Sequence, residues 1–237
     1  MKLSIIIPTY NEEATISAVL DKVSAVKLKN ILEKEIIVVD DCSEDCTAQK
    51  VIEFNRQHPR LKVKYVRHHR NQGKGAAIRT GIQNATGDYM IIQDADLELD
   101  PHDINQLLRP VFHANADVVF GSRFAGGSNP RSILTYRHNL ANKFLTRLSN
   151  LFSNMNLTDM ETCYKLARTE VLKSIRIEEN RFGFEPEITA KLSKMKSLNF
   201  FEVGVSYYPR TRAEGKKIGW QDGLRAVFCI VKYNLFR

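Results

Sequence analysis

The chain predicts an α/β fold with a mostly parallel central sheet flanked by helices. Three observations carry that prediction. Apolar runs of strand length alternate with helical periodicity through the first 124 residues. Several runs are continuously apolar, as in strands buried on both faces. Each run ends in a short polar turn rather than in a tight hairpin signal.

Lys2 to Pro8 is the first strand, closed by its proline. Asn11 is the expected N-cap of a helix opened by Glu12 and Glu13, with Ile16, Val19, Leu20, Val23 and Val26 on one face. Glu35 to Asp40 is the second strand, followed by a turn at Asp40–Ser43 and a helix through about Asn55. Leu61 to His68 is the third strand, Gly73 to Ala85 the third helix and Asp88 to Gln93 the fourth strand. Asp103 to Ala114 is helical through Ile104, Leu107, Leu108 and Val111, and Asp117 to Gly121 is the fifth strand. Residues 125–130 form a loop, 131–152 a basic amphipathic helix, 163–168 and 199–208 strands, 185–194 a helix and 219–236 a last helix. No internal repeat or second independent domain is visible, so residues 1–237 are expected to form one domain.

Right-handed crossovers bring the C-terminal ends of parallel strands to one edge, outside which ligands bind. That edge is expected to gather Thr9, Tyr10 and Glu12; Asp40 and Asp41; His69 to Lys74; Asp94 to Glu98; and Ser122 with Arg123. Asp94, Asp96 and Glu98 alternate after the apolar run Tyr89–Ile92. If strand geometry persists, their carboxylates point one way. Gathered carboxylates repel one another unless a cation sits among them, and oxygen ligands of this kind suit Mg²⁺ or Mn²⁺. The plain alternative is an acidic loop facing water. Asp40 or Asp41 can accept hydrogen bonds from a ribose or base, or cap the next helix. Lys74 stands at a tight turn into a helix, near the ligand edge.

Composition removes other classes. No apolar run approaches the roughly 18 residues of a membrane span, and the first residues lack the pattern of a signal peptide, so an intracellular protein is expected. Cys42, Cys46, Cys163 and Cys229 have no zinc or disulfide spacing. The stretch Asn71–Ala77 lacks the first glycine and the Ser or Thr of a Walker A loop, and no dinucleotide fingerprint follows the first strand. The net charge of +8 attracts polyanions. Its clusters lie in the second half, at Arg131, Arg137, Lys143, Arg147 and at Arg210, Arg212, Lys216, Lys217. The latter group clamps a phosphate if its loop folds over the strand edge. The basic faces of the 131–152 and C-terminal helices suit either solvent or a membrane surface.

With these residues laid out, the chain resembles the family 2 glycosyltransferases of the GT-A fold, and within them the polyprenyl-phosphate sugar transferases of the dolichyl-phosphate mannose synthase type. The matching segments are IIIPTYNEE at 5–13, IIVVDDCSEDCTA at 36–48, NQGKGAAIRTGI at 71–82, DADLELDP at 94–101 and GSRF at 121–124. Weaker matches are TDMETCYKLAR at 158–168, RFGFEPEIT at 181–189 and PRTRAEGKKIGW at 209–220. The resemblance implies a nucleotide-sugar half at 1–124 and an acceptor half at 125–237. It implies that Pro8, Tyr10, Glu12, Val38 and Asp40 hold base and ribose; Lys74, from its place at the ligand edge, is expected to bind the nucleotide-sugar as well. Asp94, Asp96 and Glu98 serve the metal and diphosphate. Arg123, Arg210 and Lys216 meet donor and acceptor phosphates, and Arg137 meets the lipid phosphate. Glu98 stands where these synthases usually carry Gln, and the C-terminal transmembrane helices of several relatives have no counterpart in this sequence.

The implied reaction is an inverting transfer of a hexose from a GDP-mannose or UDP-glucose type donor to a dolichyl or undecaprenyl phosphate. It would use Mg²⁺ or Mn²⁺ at the cytoplasmic face of a membrane, with Asp94, Asp96 and Arg123 at the centre of the chemistry. A divalent ion offsets the leaving diphosphate charge. A phosphomonoester with a second pKa of about 6 is already largely dianionic at neutral pH, so cations matter more than a base. The alternative is transfer to a glycan hydroxyl, with Asp159 or Glu161 as base. A basic nucleic-acid module is disfavoured because acids occupy the ligand edge and aromatic residues are not interleaved with basic ones.

Overall fold

The computed structural model describes residues 1–31, 33–61, 63–125, 136–209 and 219–236, with the backbone alone for 136–138 and 220. A seven-stranded sheet has the order β3-β2-β1-β4-β6-β5-β7. The strands are β1 (Lys2–Thr9), β2 (Glu33–Asp40), β3 (Val63–Arg67), β4 (Tyr89–Ile92), β5 (Val118–Ser122), β6 (Lys165–Arg168) and β7 (Phe200–Gly204). The helices are α1 (Ile16–Ala25), α2 (Thr47–Gln57), α3 (Lys74–Asn84), α4 (Ile104–Ala114), α5 (Tyr136–Ser153), α6 (Thr169–Ser174), α7 (Phe184–Ser193) and α8 (Trp220–Leu235).

β1 is the centre of the nucleotide-edge half, parallel to β2 on one side and β4 on the other. Ile5 faces Ile36 on β2 and Ile91 on β4, and Ile6 faces Ile37 and Ile92. Leu3 and Ile5 to Ile7 are buried almost completely. Each such side chain contributes roughly 1.5–3 kcal/mol relative to exposure. The continuous apolar run, rather than an alternating one, is what a strand covered on both faces requires. α1 buries Ile16, Val19, Leu20 and Val23, and α4 buries Ile104, Leu107, Leu108 and Val111, the stripes that the 3.6-residue period marks. α3 lies on β1 so closely that a Cβ on Gly81 would come 2.3 Å from Ile6.

Two expectations change, and the sheet carries one insertion that local periodicity does not predict. Asn11 is not an N-cap: it takes a left-handed conformation (φ 50°), its side chain accepts from the Glu44 amide, and α1 starts after Thr15. The acids of the helix start thus lie in the preceding turn, where Glu13 bonds to the Cys46 amide. β5 does not pair with β4. The short strand β6 is inserted between them, antiparallel to both. β4 and β5 still run the same way, so Ser122 and Arg123 reach the same edge as Asp94. Finally, extended geometry stops at Ile92. Asp94, Asp96 and Glu98 lie on a bent segment, because the Asp96 carboxylate accepts the Glu98 amide at 3.0 Å and turns the chain. Strand alternation therefore does not set where the three carboxylates lie. The loop at 126–130, the start of the expected 131–152 helix, and the Arg210–Lys217 cluster lie outside the described residues.

Candidate active site

The polar strand ends open into a cleft of about 350 Å³ at the C-terminal edge of β1, β2 and β4. Pro8, Tyr10 and Glu12 come from the β1 turn, Asp41 from the β2 turn, and Asn71, Gly73 and Lys74 from the start of α3. Asp94, Asp96 and Glu98 follow β4, and Arg181 with Phe182 close the far wall.

The two acids after β2 divide their work. Asp40 is fully buried; its carboxylate accepts from the Ser43 amide and hydroxyl at 2.8 and 2.6 Å and from the Tyr65 hydroxyl at 2.7 Å. Asp41 reaches the cleft and ties down the loop before α3. It accepts from the Gln72 amide at 2.9 Å and the Gly73 amide at 2.6 Å, and lies 2.7 Å from His68 Nδ1. Gly73 has φ 101°, and a Cβ there would sit 2.3 Å from the Asn180 carbonyl oxygen. Glycine is therefore required both by conformation and by space.

Lys74 bridges the cleft floor, with Nζ 2.9 Å from Asp94 Oδ1 and 3.2 Å from Glu185 Oε1. Burial works against its charge, and Asp94 and Glu185 outweigh that effect and hold its pKa well above the ordinary lysine value. Glu98 leans the other way: its Oε2 accepts from the Tyr207 hydroxyl at 3.1 Å, and Leu99 bridges to Tyr207 through the backbone.

Arg123 lies behind the cleft in a buried pair with Asp159. Nε and Nη2 donate to the two carboxylate oxygens at 2.6 and 2.7 Å, and the Arg123 amide adds a bond at 2.9 Å. The guanidinium also stands 5.2 Å from the Tyr207 ring centre. Burial opposes its charge, but Asp159 more than compensates and raises its pKa. Beyond this pair, burial and the neighbouring Glu185 push the Glu161 carboxyl up to about 8. One oxygen of each of Glu161 and Glu185 is buried without a hydrogen-bond partner. Burial likewise lowers the Lys165 ammonium, which donates to the Met160 and Thr162 carbonyls. Cys163, beside Asp94, is driven far above the ordinary thiol range, chiefly by burial, and is an inert thiol.

The sequence profile described as Glycosyl transferase family 2 matches residues 4–176, most of the chain and all of the cleft except its far wall. The chain belongs to glycosyl transferase family 2. Among relatives of this family 2 chain, a dolichol-phosphate mannosyltransferase of Pyrococcus furiosus is 28% identical over 237 residues, covering 99% of this chain and 65% of its own length. A dolichyl-phosphate beta-glucosyltransferase of Dictyostelium discoideum is 28% identical over 236 residues, covering 91% of this chain and 68% of its own length. A dodecaprenyl-phosphate galacturonate synthase of Rhizobium johnstonii is 26% identical over 218 residues, covering 91% and 62%. The chain thus spans about two thirds of the length of the curated relatives it matches. In fold it is similar to glucosyl-3-phosphoglycerate synthase from Mycobacterium tuberculosis, crystallised with Mn²⁺, UDP and phosphoglyceric acid. The TM-score is 0.74 at 19% identity, with 100% of this chain and 79% of that one covered. The same neighbour crystallised with Mg²⁺ and UDP gives a TM-score of 0.71 at 17% identity. The architecture is the GT-A-like α/β fold.

Of the residues singled out in this family 2 sequence, Pro8, Tyr10, Glu12, Lys74, Asp94, Asp96 and Glu98 line one cleft. Val38 is fully buried within β2 and Asp40 is committed to the turn beneath, so neither faces the cleft. Asp41 lines the cleft instead. Arg210, Lys216 and the side chain of Arg137 lie outside the described residues. Glu185, Arg181 and Tyr207 went unassigned in the sequence. The RFGFEPEIT segment, rich in charge beside glycine, was the available signal for the first two, and nothing local marked Tyr207.

Proposed function

We propose that the chain is an inverting glycosyltransferase that moves a hexose from a nucleotide-sugar to a polyprenyl phosphate, using Mg²⁺ or Mn²⁺. The observation that carries this reading is the cleft itself: Asp94, Asp96 and Glu98 border one nucleotide-sized space with Pro8, Tyr10 and Asp41. The donor set is carboxylate oxygen, which fits a hard divalent ion. Such an ion is typically held by one or two carboxylates and completes its shell with water and substrate phosphates. Among the described residues no cluster of three or more His, Cys, Asp or Glu side chains is gathered for a metal, so the expected three-acid convergence is not preformed. Asp96 and Glu98 would hold the ion, while Asp94 is shared with Lys74. When bound, the ion would offset the charge of the leaving diphosphate.

The acceptor reading draws support from the candidate bases. Asp159 is fully buried and gives both carboxylate oxygens to Arg123, and the half-buried Glu161 favours its protonated form. Neither is poised to deprotonate a hydroxyl, whereas a lipid phosphate arrives already ionised. The names of the curated relatives point to the same acceptor class.

A polyprenyl acceptor is anchored in a bilayer, so the protein must reach one. No helix among the described residues is long and apolar enough to cross a membrane. We place the contact on the paired helices α5 and α8. Leu140, Phe144 and Leu151 on α5 and Leu224, Phe228 and Leu235 on α8 are exposed at the same i, i+4, i+11 spacing, which keeps each set on one helical face. Lys143 and Arg147 on α5 supply exposed basic groups for anionic headgroups. In this reading the protein binds peripherally, at the cytoplasmic face of the membrane.

The test is a partition assay with radiolabelled GDP-mannose and UDP-glucose, polyprenyl phosphate and Mn²⁺. Label is expected to enter the organic-extractable lipid fraction. Label that stays water-soluble with both donors despite added lipid acceptor defeats the acceptor assignment.

A further inference from the structure

Phosphate-binding loops commonly present backbone amides to the anion at a helix start. The loop before α3 has the wrong bookkeeping for that. The Gln72 and Gly73 amides are bound by Asp41, and the Ala76 amide by the Asn180 carbonyl at 3.1 Å. With the Gln72, Gly73 and Ala76 amides taken, side chains or a metal are left to meet most of the charge of a phosphate entering this cleft. Glu12, Asp41, Asp94, Asp96 and Glu98 line the cleft as acids, and among the described lining residues Lys74 and Arg181 are the cations. Lys74 is already held between Asp94 and Glu185. Arg181 is exposed and forms no ion pair with a described carboxylate.

Its position is nonetheless built. The segment that carries Arg181 is pinned from three sides. Glu187 accepts the Glu178 and Glu179 amides, both at 2.7 Å. Arg79 donates to the Ile177 carbonyl at 3.2 Å and to Asn180 Oδ1 at 2.9 Å. Gly73 and Gly75 let α3 approach so closely that a Cβ would fall 2.3 Å from the Asn180 and 2.2 Å from the Glu179 carbonyl oxygen. The Arg181 stem crosses directly over Gly73, with Cγ 2.9 Å from that Cβ position. A fixed backbone thus delivers an uncommitted guanidinium to the cleft wall.

We propose that Arg181 binds the phosphate oxygens of the nucleotide-sugar's diphosphate, a further donor-binding residue that rests on the transferase reading above. A planar guanidinium suits two phosphate oxygens at once, where a lysine offers a point charge.

The experiment compares wild type, Arg181→Ala and Arg181→Lys by calorimetry with Mn²⁺ present. The probes are GDP and UDP, each against its monophosphate and its nucleoside. Arg181→Ala is expected to weaken diphosphate binding at least about tenfold, equivalent to about 1.4 kcal/mol. Nucleoside binding should be unchanged, and Arg181→Lys should recover part of the loss. Wild-type affinity for the diphosphate in Arg181→Ala overturns the proposal. So does an equal loss for diphosphate and nucleoside, which would make Arg181 a base or wall contact, and so does a wild type that binds neither diphosphate. Diphosphate binding that depends on Arg181 without label transfer to lipid would instead leave this site standing and remove the acceptor reading.

Discussion

Arg123 and Asp159 are locked together by three hydrogen bonds, two from the guanidinium and one from the Arg123 amide, with the Asp159 carboxylate fully buried. Breaking such a pair leaves a charge without its partner in a place water does not reach. Asp159→Ala is expected to cost about 3–5 kcal/mol of stability, measured as a lower urea midpoint. A variant with wild-type stability and no turnover would reassign Asp159 from holding Arg123 to the chemistry.

Asp96 is placed at the cleft beside Glu98 and is the acid we assign most directly to the metal. Asp96→Ala should reduce Mn²⁺-dependent turnover by on the order of 10²–10³, the range for removing one group that stabilises developing charge. Far-UV circular dichroism should be unchanged. Full activity in this variant would remove Asp96 from the metal site.

Glu161 sets a pH dependence with a definite sign. Its carboxyl is pushed up from 4.5 to about 8, first by burial and then by Glu185. Between those values the folded chain holds a proton that the unfolded chain has lost, so this group's contribution to stability falls as pH rises through that window. Glu161→Gln, neutral at every pH, should flatten the stability profile between pH 5 and 8. The readout is the urea midpoint across that range; an unchanged slope would show that Glu161 is ionised in the fold.

The exposed aromatic residues of α5 and α8 carry the membrane prediction. Phe144→Glu with Phe228→Glu should lower binding to anionic lipid vesicles at least about tenfold, since each Phe withdrawn from an apolar phase is worth roughly 1.5–3 kcal/mol. Co-sedimentation with vesicles reads the effect, and raised salt should weaken wild-type binding as well. Unchanged sedimentation would place the lipid contact elsewhere.

The amino-acid sequence by itself determined the α/β alternation, the buried runs of β1, β2 and β4, and the edge to which Pro8, Tyr10, Lys74, Asp94 and Asp96 are brought. These follow from local periodicity and from the handedness of crossovers, which need no long-range knowledge. Tertiary structure decided the rest. Insertion of β6 between β4 and β5 depends on pairings between segments distant in sequence, which periodicity does not encode. The division between Asp40 and Asp41 turns on which carboxylate meets Ser43 and Tyr65 and which meets the α3 loop. The cleft's far wall, with Arg181 and the Glu185 that holds Lys74, comes from residues about a hundred positions downstream of α3. Their roles arise from close backbone packing at Gly73 and Gly75, a contact that exists only once the chain has folded.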